Sequence, residues 1–169
     1  PTSDQTEAIH KYIEFGNRLL TFVLLVVAIA SLFAVFKHNQ ARKLAGHNKR
    51  RSLTVLALGI LAGILLQAIL GGITVLTGLH PLIVAAHFMV SIGLITVAVI
   101  LLVRAQEAND KPASLQVAKP INLGMRIHIW LALTVIVIGT LVTGSGPHAG
   151  DTDDIVRLGF EFRNITTIH

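Results

Sequence analysis

One ionisable side chain lies inside a long apolar stretch of this sequence. His87 comes six residues after Pro81, with Ala86 and Phe88 beside it. In a helix that begins at the proline, this spacing places the imidazole about 9 Å from the helix end. An ionisable residue at such a depth in a membrane indicates a functional site, and its small neighbours leave space for a flat ligand. The alternative is a neutral imidazole bonded to a neighbouring helix, and we favour the ligand role.

A second polar group lies near the start of another apolar stretch. Glu14, Asn17 and Arg18 are three and four residues apart, so a helix places them on one face. If both helices enter from the same side, this face and His87 lie at similar depth and converge on one pocket. Such a pocket suits a porphyrin, because imidazole binds iron and arginine pairs with a propionate. An ordinary Glu–Arg ion pair at the membrane interface explains these residues equally well.

Transmembrane helices are the elements that must position these groups. Hydrophobic residues make up 53% of the chain and charged residues 14%, whereas about a quarter of a soluble domain is charged. Four stretches lack Asp, Glu, Lys and Arg: Leu19–Phe36, Leu53–Leu79, Pro81–Val103 and Ile127–Pro147. Each approaches or exceeds the roughly 20 residues that cross a bilayer. We therefore predict an all-α integral membrane protein with four transmembrane helices, since strands of this length do not span lipid.

The distribution of charge predicts the orientation of these helices. Residues 37–51 contain six lysines and arginines and no acid, and residues 104–126 are also basic. The positive-inside rule places both segments in the cytoplasm. The N-terminus of the chain and residues 144–169 then face the extracytoplasmic side. We interpret the basic segment as a topology determinant rather than an anionic-lipid site, and we expect no nucleic-acid partner despite a net charge of +5.

Several residue types and motifs are absent from the sequence, and this excludes some classes of site. The chain has no cysteine, which excludes a disulfide, a thiolate metal site and a cysteine nucleophile within it. It carries no His-Glu-x-x-His zinc pattern and no phosphate-binding glycine loop. It also lacks an initiator methionine and stops at His169. We expect a fragment of a longer protein that is inactive on its own.

Helix packing is predicted by two features of the second apolar stretch. Gly59 and Gly63 form a small-xxx-small pair, which lets a neighbouring helix approach closely. Gln67 lies in the middle of the same stretch, where its amide needs a hydrogen-bond partner. We expect both features to face another helix.

The most specific pattern runs from Gly139 to Asp151 and reads Gly-Thr-Leu-Val-Thr-Gly-Ser-Gly-Pro-His-Ala-Gly-Asp. The chain as a whole resembles the haem A synthase family, membrane enzymes that convert haem O to haem A for cytochrome oxidase assembly. The further matching segments are Ile13-Glu14-Phe15-Gly16-Asn17-Arg18, Gln67 with residues 70–76, His87, and Thr167-Ile168-His169.

The resemblance implies a larger fold, an eight-helix bundle built of two four-helix halves. Residues 1–109 would form the second to fourth helices of the N-terminal half, residues 110–122 a cytoplasmic linker, and residues 123–169 the first helix of the C-terminal half with its outward loop. The chain would thus cover the second to fifth transmembrane helices. A multi-pass protein of a bacterial plasma membrane is expected rather than one of the mitochondrial inner membrane.

The resemblance also implies an oxidoreductase with haem b as cofactor and haem O as substrate. His87 matches the second histidine of the N-terminal half and His169 the first of the C-terminal half, and both would bind iron. Glu14 matches a glutamate proposed to take part in the oxidation, and Arg18 would pair with a propionate. Expected partners are membrane lipid, the haem O synthase and an electron donor.

One position departs from the family pattern. The family commonly has Glu-x-x-His where this chain has Glu14 and Asn17, and an amide is a poor iron ligand. Ligation by two histidines in the N-terminal half is therefore not expected, and weak ligation suits a substrate that must leave. Two other functions remain open. One is a haem-binding electron-transfer or haem-handling protein of cytochrome b type, and the other is a transporter or assembly subunit without haem.

Overall fold

Four long helices make up the described part of the chain. The computed structural model describes residues 3–108 and 117–145, and the side chains of these residues except 3–10, 13 and 14. All four helices are long and apolar enough to cross a membrane, the first over Phe15–Leu44 and the others along their whole length, and no strand occurs among the described residues. The predicted all-α membrane protein with four transmembrane helices is confirmed. The helices are α1 (Ser3–Leu44), α2 (Arg51–Leu76), α3 (Pro81–Gln106) and α4 (Lys119–Ser145).

Two helices continue well beyond their apolar stretches. Helix α1 runs two turns past Phe36, so Lys37, Arg42 and Lys43 lie on the helix and not in a loop. Helix α4 begins at Lys119, about two turns before the apolar stretch that starts at Ile127. Lysine and arginine have good helix propensity and favour the last turn of a helix through its dipole. The basic end of α1 is therefore a continuation of the membrane helix.

Each of the first two helices ends with a glycine in the left-handed conformation. At the end of α1, Gly46 has φ +75°, and the N–H of His47 donates to the carbonyl of Arg42 at 2.9 Å. At the end of α2, Gly78 has φ +60°. The bond from His47 satisfies a carbonyl that the end of α1 would otherwise leave without a partner, as in a Schellman motif.

The connection between α2 and α3 is a tight turn with a histidine cap. Leu79 has φ +61°, and its N–H donates to the carbonyl of Thr74 at 2.9 Å. His80 precedes the first residue of α3, and its Nδ1 accepts a hydrogen bond from the N–H of Leu82 at 3.3 Å. The imidazole satisfies one of the donors that the start of a helix leaves open. His80 therefore has a structural task at this turn.

The chain divides into two compact units. The first contains residues 1–69 and 90–110, and the second contains residues 70–89 and 111–169. Residues 70–76 of α2 and 81–89 of α3 belong to the second unit, and the other residues of these two helices belong to the first. The boundaries predicted for half-bundles, 1–109, 110–122 and 123–169, refer to a larger bundle and stay a prediction.

In the first unit, α2 and α3 approach each other at the predicted positions. A methyl group added at Gly63 would lie 2.6 Å from Cδ1 of Leu94, so no side chain fits there without movement. The amide of Gln67 donates a hydrogen bond to the hydroxyl of Ser91. The expected close approach and the expected partner for the buried amide are both confirmed.

This close approach predicts a stability effect. Gly63→Val is expected to lower the free energy of unfolding by about 1–3 kcal/mol, because the branched side chain overlaps Leu94 in a packed contact. Thermal unfolding in detergent measures the effect. The control is Gly93→Val on α3, where an added methyl group meets nothing within 4 Å. Equal losses in the two variants would show that the valine itself, and not the contact with Leu94, is responsible.

A buried arginine joins three helices at the other end of the same unit. Arg50 is 2% exposed, and its guanidinium donates to the backbone carbonyls of Arg104, at 2.7 Å, and Glu107. Its own N–H donates to Oδ1 of Asn39 at 2.7 Å, and the Asn39 amide also donates to Thr54 Oγ1 at 3.0 Å. The Arg50 guanidinium thus caps the carboxyl end of α3, and Asn39 of α1 fixes the backbone of Arg50. We call these residues the Arg50 clamp.

Candidate functional site

His87 lies where the sequence predicts it, in the second turn of a helix that begins at Pro81. Its half-buried imidazole faces α2. A methyl group added at Gly71 would lie 3.6 Å from Cε1 of the ring. The glycine therefore leaves the imidazole room to pack directly beside α2. Gly71 belongs to the 70–76 segment that carries part of the family resemblance, but its contact with His87 was not predicted from the sequence.

The imidazole of His87 is held within the helix pair. Its Nδ1 atom is buried, and the residue takes part in an interaction within the structure. A neutral imidazole has one nitrogen that donates a hydrogen bond and one that carries a lone pair. A neutral His87 ring therefore has one nitrogen lone pair that suits an iron ligand.

An apolar cavity of about 630 Å³ lies between α3 and α4 in the same unit. This volume is typical of a site for a small molecule or cofactor. The hydroxyl of Thr143 donates to the Gly139 carbonyl at 3.0 Å and that of Thr140 to the Val137 carbonyl at 2.7 Å, so both hydroxyls are turned back to their own helix. The walls therefore offer an apolar surface. The lining residues are Pro81, Val84, Ala85, Phe88, Val135, Ile136, Gly139, Thr140, Val142, Thr143 and Gly144.

The cavity and the imidazole occupy neighbouring faces of α3. Ala85 and Phe88 line the cavity, whereas His87, which lies between them in sequence, contacts the α2 side at Gly71. The cavity beside Ala85 and Phe88 opens towards α4 and not towards the imidazole, so the expected space for a ligand at His87 stays a prediction. The sequence did not predict that the imidazole and the open space would lie on different faces.

The polar group of α1 lies in the other unit. Glu14, Asn17 and Arg18 belong to one uninterrupted helix, so they share a face as predicted. Arg18 is exposed and has an interaction partner, and the backbone carbonyl of Asn17 accepts a hydrogen bond from the Thr21 hydroxyl at 3.1 Å. The side chain of Glu14 lies outside the described residues. Convergence of this group with His87 stays a prediction.

The glycine-rich signature is described only at its beginning. Gly144 and Ser145 are buried at the end of α4, and the Ser145 hydroxyl donates to the Leu141 carbonyl at 2.8 Å. The remainder of the signature, from residue 146 to Asp151, lies outside the described residues. His169 also lies outside them, so its predicted role as an iron ligand stays a prediction.

The described side chains do not supply enough ligands for a metal ion held by protein side chains alone. Among them, no group of three or more His, Cys, Asp and Glu side chains could hold a metal ion. A haem needs less, because the porphyrin supplies four nitrogen ligands and the protein only one or two axial ligands. One imidazole in an apolar helix pair meets that smaller number of ligands, but it faces α2 and not the cavity between α3 and α4.

Comparison with known proteins places the chain in a family. A family model described as cytochrome oxidase assembly protein, COX15-CtaA, matches residues 2–150. The match includes all four helices as well as Glu14, Arg18 and His87. Neither a curated protein nor a solved structure matches the chain. Because the family model covers most of the 169 residues, the chain belongs to the COX15-CtaA family of cytochrome oxidase assembly proteins.

Proposed function

We propose that this protein acts as a haem A synthase, which oxidises a methyl group of haem O to the formyl group of haem A. Membership of the family supports a role in cytochrome oxidase assembly. The finer proposal rests on His87, an imidazole packed beside Gly71 on a membrane helix that also lines an apolar cavity of about 630 Å³.

The residues of this chain would bind and orient the substrate. His87 would hold the iron of haem O on the face of α3 that packs beside α2, and the apolar side chains of this helix pair would exclude water from the iron. Arg18 would pair with a propionate, since a guanidinium binds a carboxylate through two parallel hydrogen bonds.

The oxidation itself requires a proton-handling group and a redox centre. Glu14 would exchange protons while an external oxidant of the dioxygen class hydroxylates the methyl group twice, and the resulting diol would lose water to give the formyl group. A bound haem b would supply the redox chemistry, with His169 as an iron ligand. Asn17, whose amide is a poor iron ligand, would bind the substrate only weakly, which would allow the product to leave.

The same proposal includes a location and partners. The protein would lie in a bacterial plasma membrane, with its N-terminal residues and residues 144–169 on the extracytoplasmic side. A haem O synthase would deliver the substrate, and a separate electron donor would reduce the haem b. The basic segments at 37–51 and 104–126 support this orientation.

Haem extraction with mass spectrometry tests the proposed reaction. Membranes that contain the complete parent protein and a supply of haem O are expected to yield haem A or its hydroxylated intermediate. Glu14→Gln is expected to remove both products, because the amide cannot exchange the proton, whereas the control Glu7→Gln on the same helix retains them. Bound haem b with unconverted haem O would favour an electron-transfer protein, and the absence of any haem would exclude both functions.

A further inference from the structure

The structure assigns different tasks to the six cations of the basic segment, residues 37–51. Arg50 is buried in the Arg50 clamp. Arg42 donates from Nε to the carbonyl of Asn48 at 3.0 Å and from Nη1 to the carbonyl of Ala108 at 3.3 Å. Lys37 places its ammonium 5.1 Å from the ring centre of Phe33. Two arginines of the segment therefore bind backbone carbonyls and hold helices and loops together.

The other three cations share one open cavity. Lys43, Lys49 and Arg51 are exposed, and all three line a cavity of about 820 Å³ beside α1 and the start of α2. No acidic side chain is among its lining residues in the described part of the chain. Three cations with no counter-charge make this cavity attractive to an anion. The other lining residues are Phe36, Asn39, Gln40, Asn48 and Thr54.

The position of the cavity favours an anion that is also partly apolar. Phe36 is the last residue of the charge-free stretch of α1, so the cavity lies where the apolar span ends. Phe36 is 53% exposed, and Phe33, one turn further into the span, is 60% exposed. Together they form an aromatic strip that leads from the cations along the apolar part of α1. A free phosphate would use only the cations, whereas a phospholipid would use the strip as well.

We propose that this cavity binds the phosphate headgroup of an anionic phospholipid. Lys43, Lys49 and Arg51 contact the phosphate, and an acyl chain lies along the strip of Phe33 and Phe36. Basic pockets between membrane helices are suited to such headgroups. A role in topology alone explains how many cations the segment has, but not why three of them line one cavity. The inference rests on the membrane helices and is independent of the haem chemistry.

Native mass spectrometry of the complete parent protein in detergent tests this site. The protein is titrated separately with phosphatidylglycerol, phosphatidylcholine and inorganic phosphate. Phosphatidylglycerol is expected to bind most tightly. The variant K43Q/R51Q is expected to weaken it about 25-fold, since each cation near an anionic lipid contributes roughly a fivefold change in affinity. The control K119Q/R126Q removes one lysine and one arginine that do not line the cavity, and it should remain within about twofold of the wild type.

A second variant distinguishes the effect of the cavity space from the effect of the positive charge. Gln40→Trp keeps every cation and narrows the cavity, so it is expected to weaken phosphatidylglycerol binding although no charge has changed. Equal weakening by K43Q/R51Q and K119Q/R126Q would overturn the proposal, as would equal binding of phosphatidylcholine and phosphatidylglycerol. Inorganic phosphate that binds as tightly as phosphatidylglycerol, and is lost in both cavity variants, would assign the site to free phosphate and overturn the lipid.

Discussion

Replacement of His87 by alanine is expected to lower haem A formation at least about a hundredfold. Loss of even an outer partner of a metal ligand costs a metal site about 10- to 100-fold, and the proposed role of His87 is the ligand itself. Haem extraction from membranes with equal amounts of protein measures the effect. The Soret spectrum of the substrate-loaded protein is expected to change in the same variant, because an axial ligand sets the electronic state of the iron.

Two further variants separate ligation from packing. His87→Gln retains a hydrogen-bonding side chain beside Gly71 but cannot replace imidazole on iron, so it is expected to lose activity as His87→Ala does. His128→Ala removes an exposed histidine of α4 and is expected to retain wild-type activity. Full activity of His87→Gln with an unchanged Soret spectrum would assign His87 to helix packing alone and remove the main support for the proposed function.

Replacement of Arg50 by methionine is expected to cost about 1.5–3 kcal/mol of unfolding free energy, the range for hydrogen bonds to a charged group. The substitution leaves the carbonyls of Arg104 and Glu107 at the end of α3 without their guanidinium donor. Water has little access to replace the lost hydrogen bonds, since Arg50 is only 2% exposed. Unfolding in a phospholipid-free detergent, followed by helical circular dichroism, measures this loss.

The neighbouring cation provides the matched control. Arg51→Met makes the same chemical change one residue later, at an exposed position, and is expected to cost less than about 0.5 kcal/mol. Glu107→Gln is also expected to cost only about 0–1 kcal/mol. Its carboxylate lies 3.9 Å from Arg50 and is one-third exposed, and the backbone carbonyls that bind Arg50 remain. A loss from Glu107→Gln as large as that from Arg50→Met would show that the ion pair, and not the carbonyls, holds the clamp.

Stability and lipid binding therefore depend on adjacent residues with the same side chain. Arg50 points into the protein and closes α3, whereas Arg51 lines the open cavity. In sequence they form one basic run, for which the charge pattern predicts orientation in the membrane and nothing more. Two sets of contacts distinguish Arg50 from Arg51: Asn39 of α1 binds both backbone polar groups of Arg50, and the Arg50 guanidinium binds carbonyls at the end of α3.

The sequence by itself determined the number and class of the helices. A membrane helix is recognised by length and composition alone, since every backbone group must be satisfied within its own segment. The close approach at Gly63 and the need of Gln67 for a partner were equally readable, because a missing side chain and a buried amide are local properties. The glycine-rich signature and the residues around Glu14 and His87 also indicated the family, because residue types at fixed spacing are a property of the chain itself.

Only the tertiary structure decided which face of each helix packs against a neighbour and which face lines a cavity. Helices α2 and α3 are apolar all round, so their sequence carries no periodicity that tells which side meets a neighbour. The sequence therefore could not show that His87 packs beside Gly71 while Ala85 and Phe88 open onto a cavity. Nor could it separate Arg50 from Arg51, because that distinction depends on how three helix ends meet and on which carbonyls lie within reach of a guanidinium.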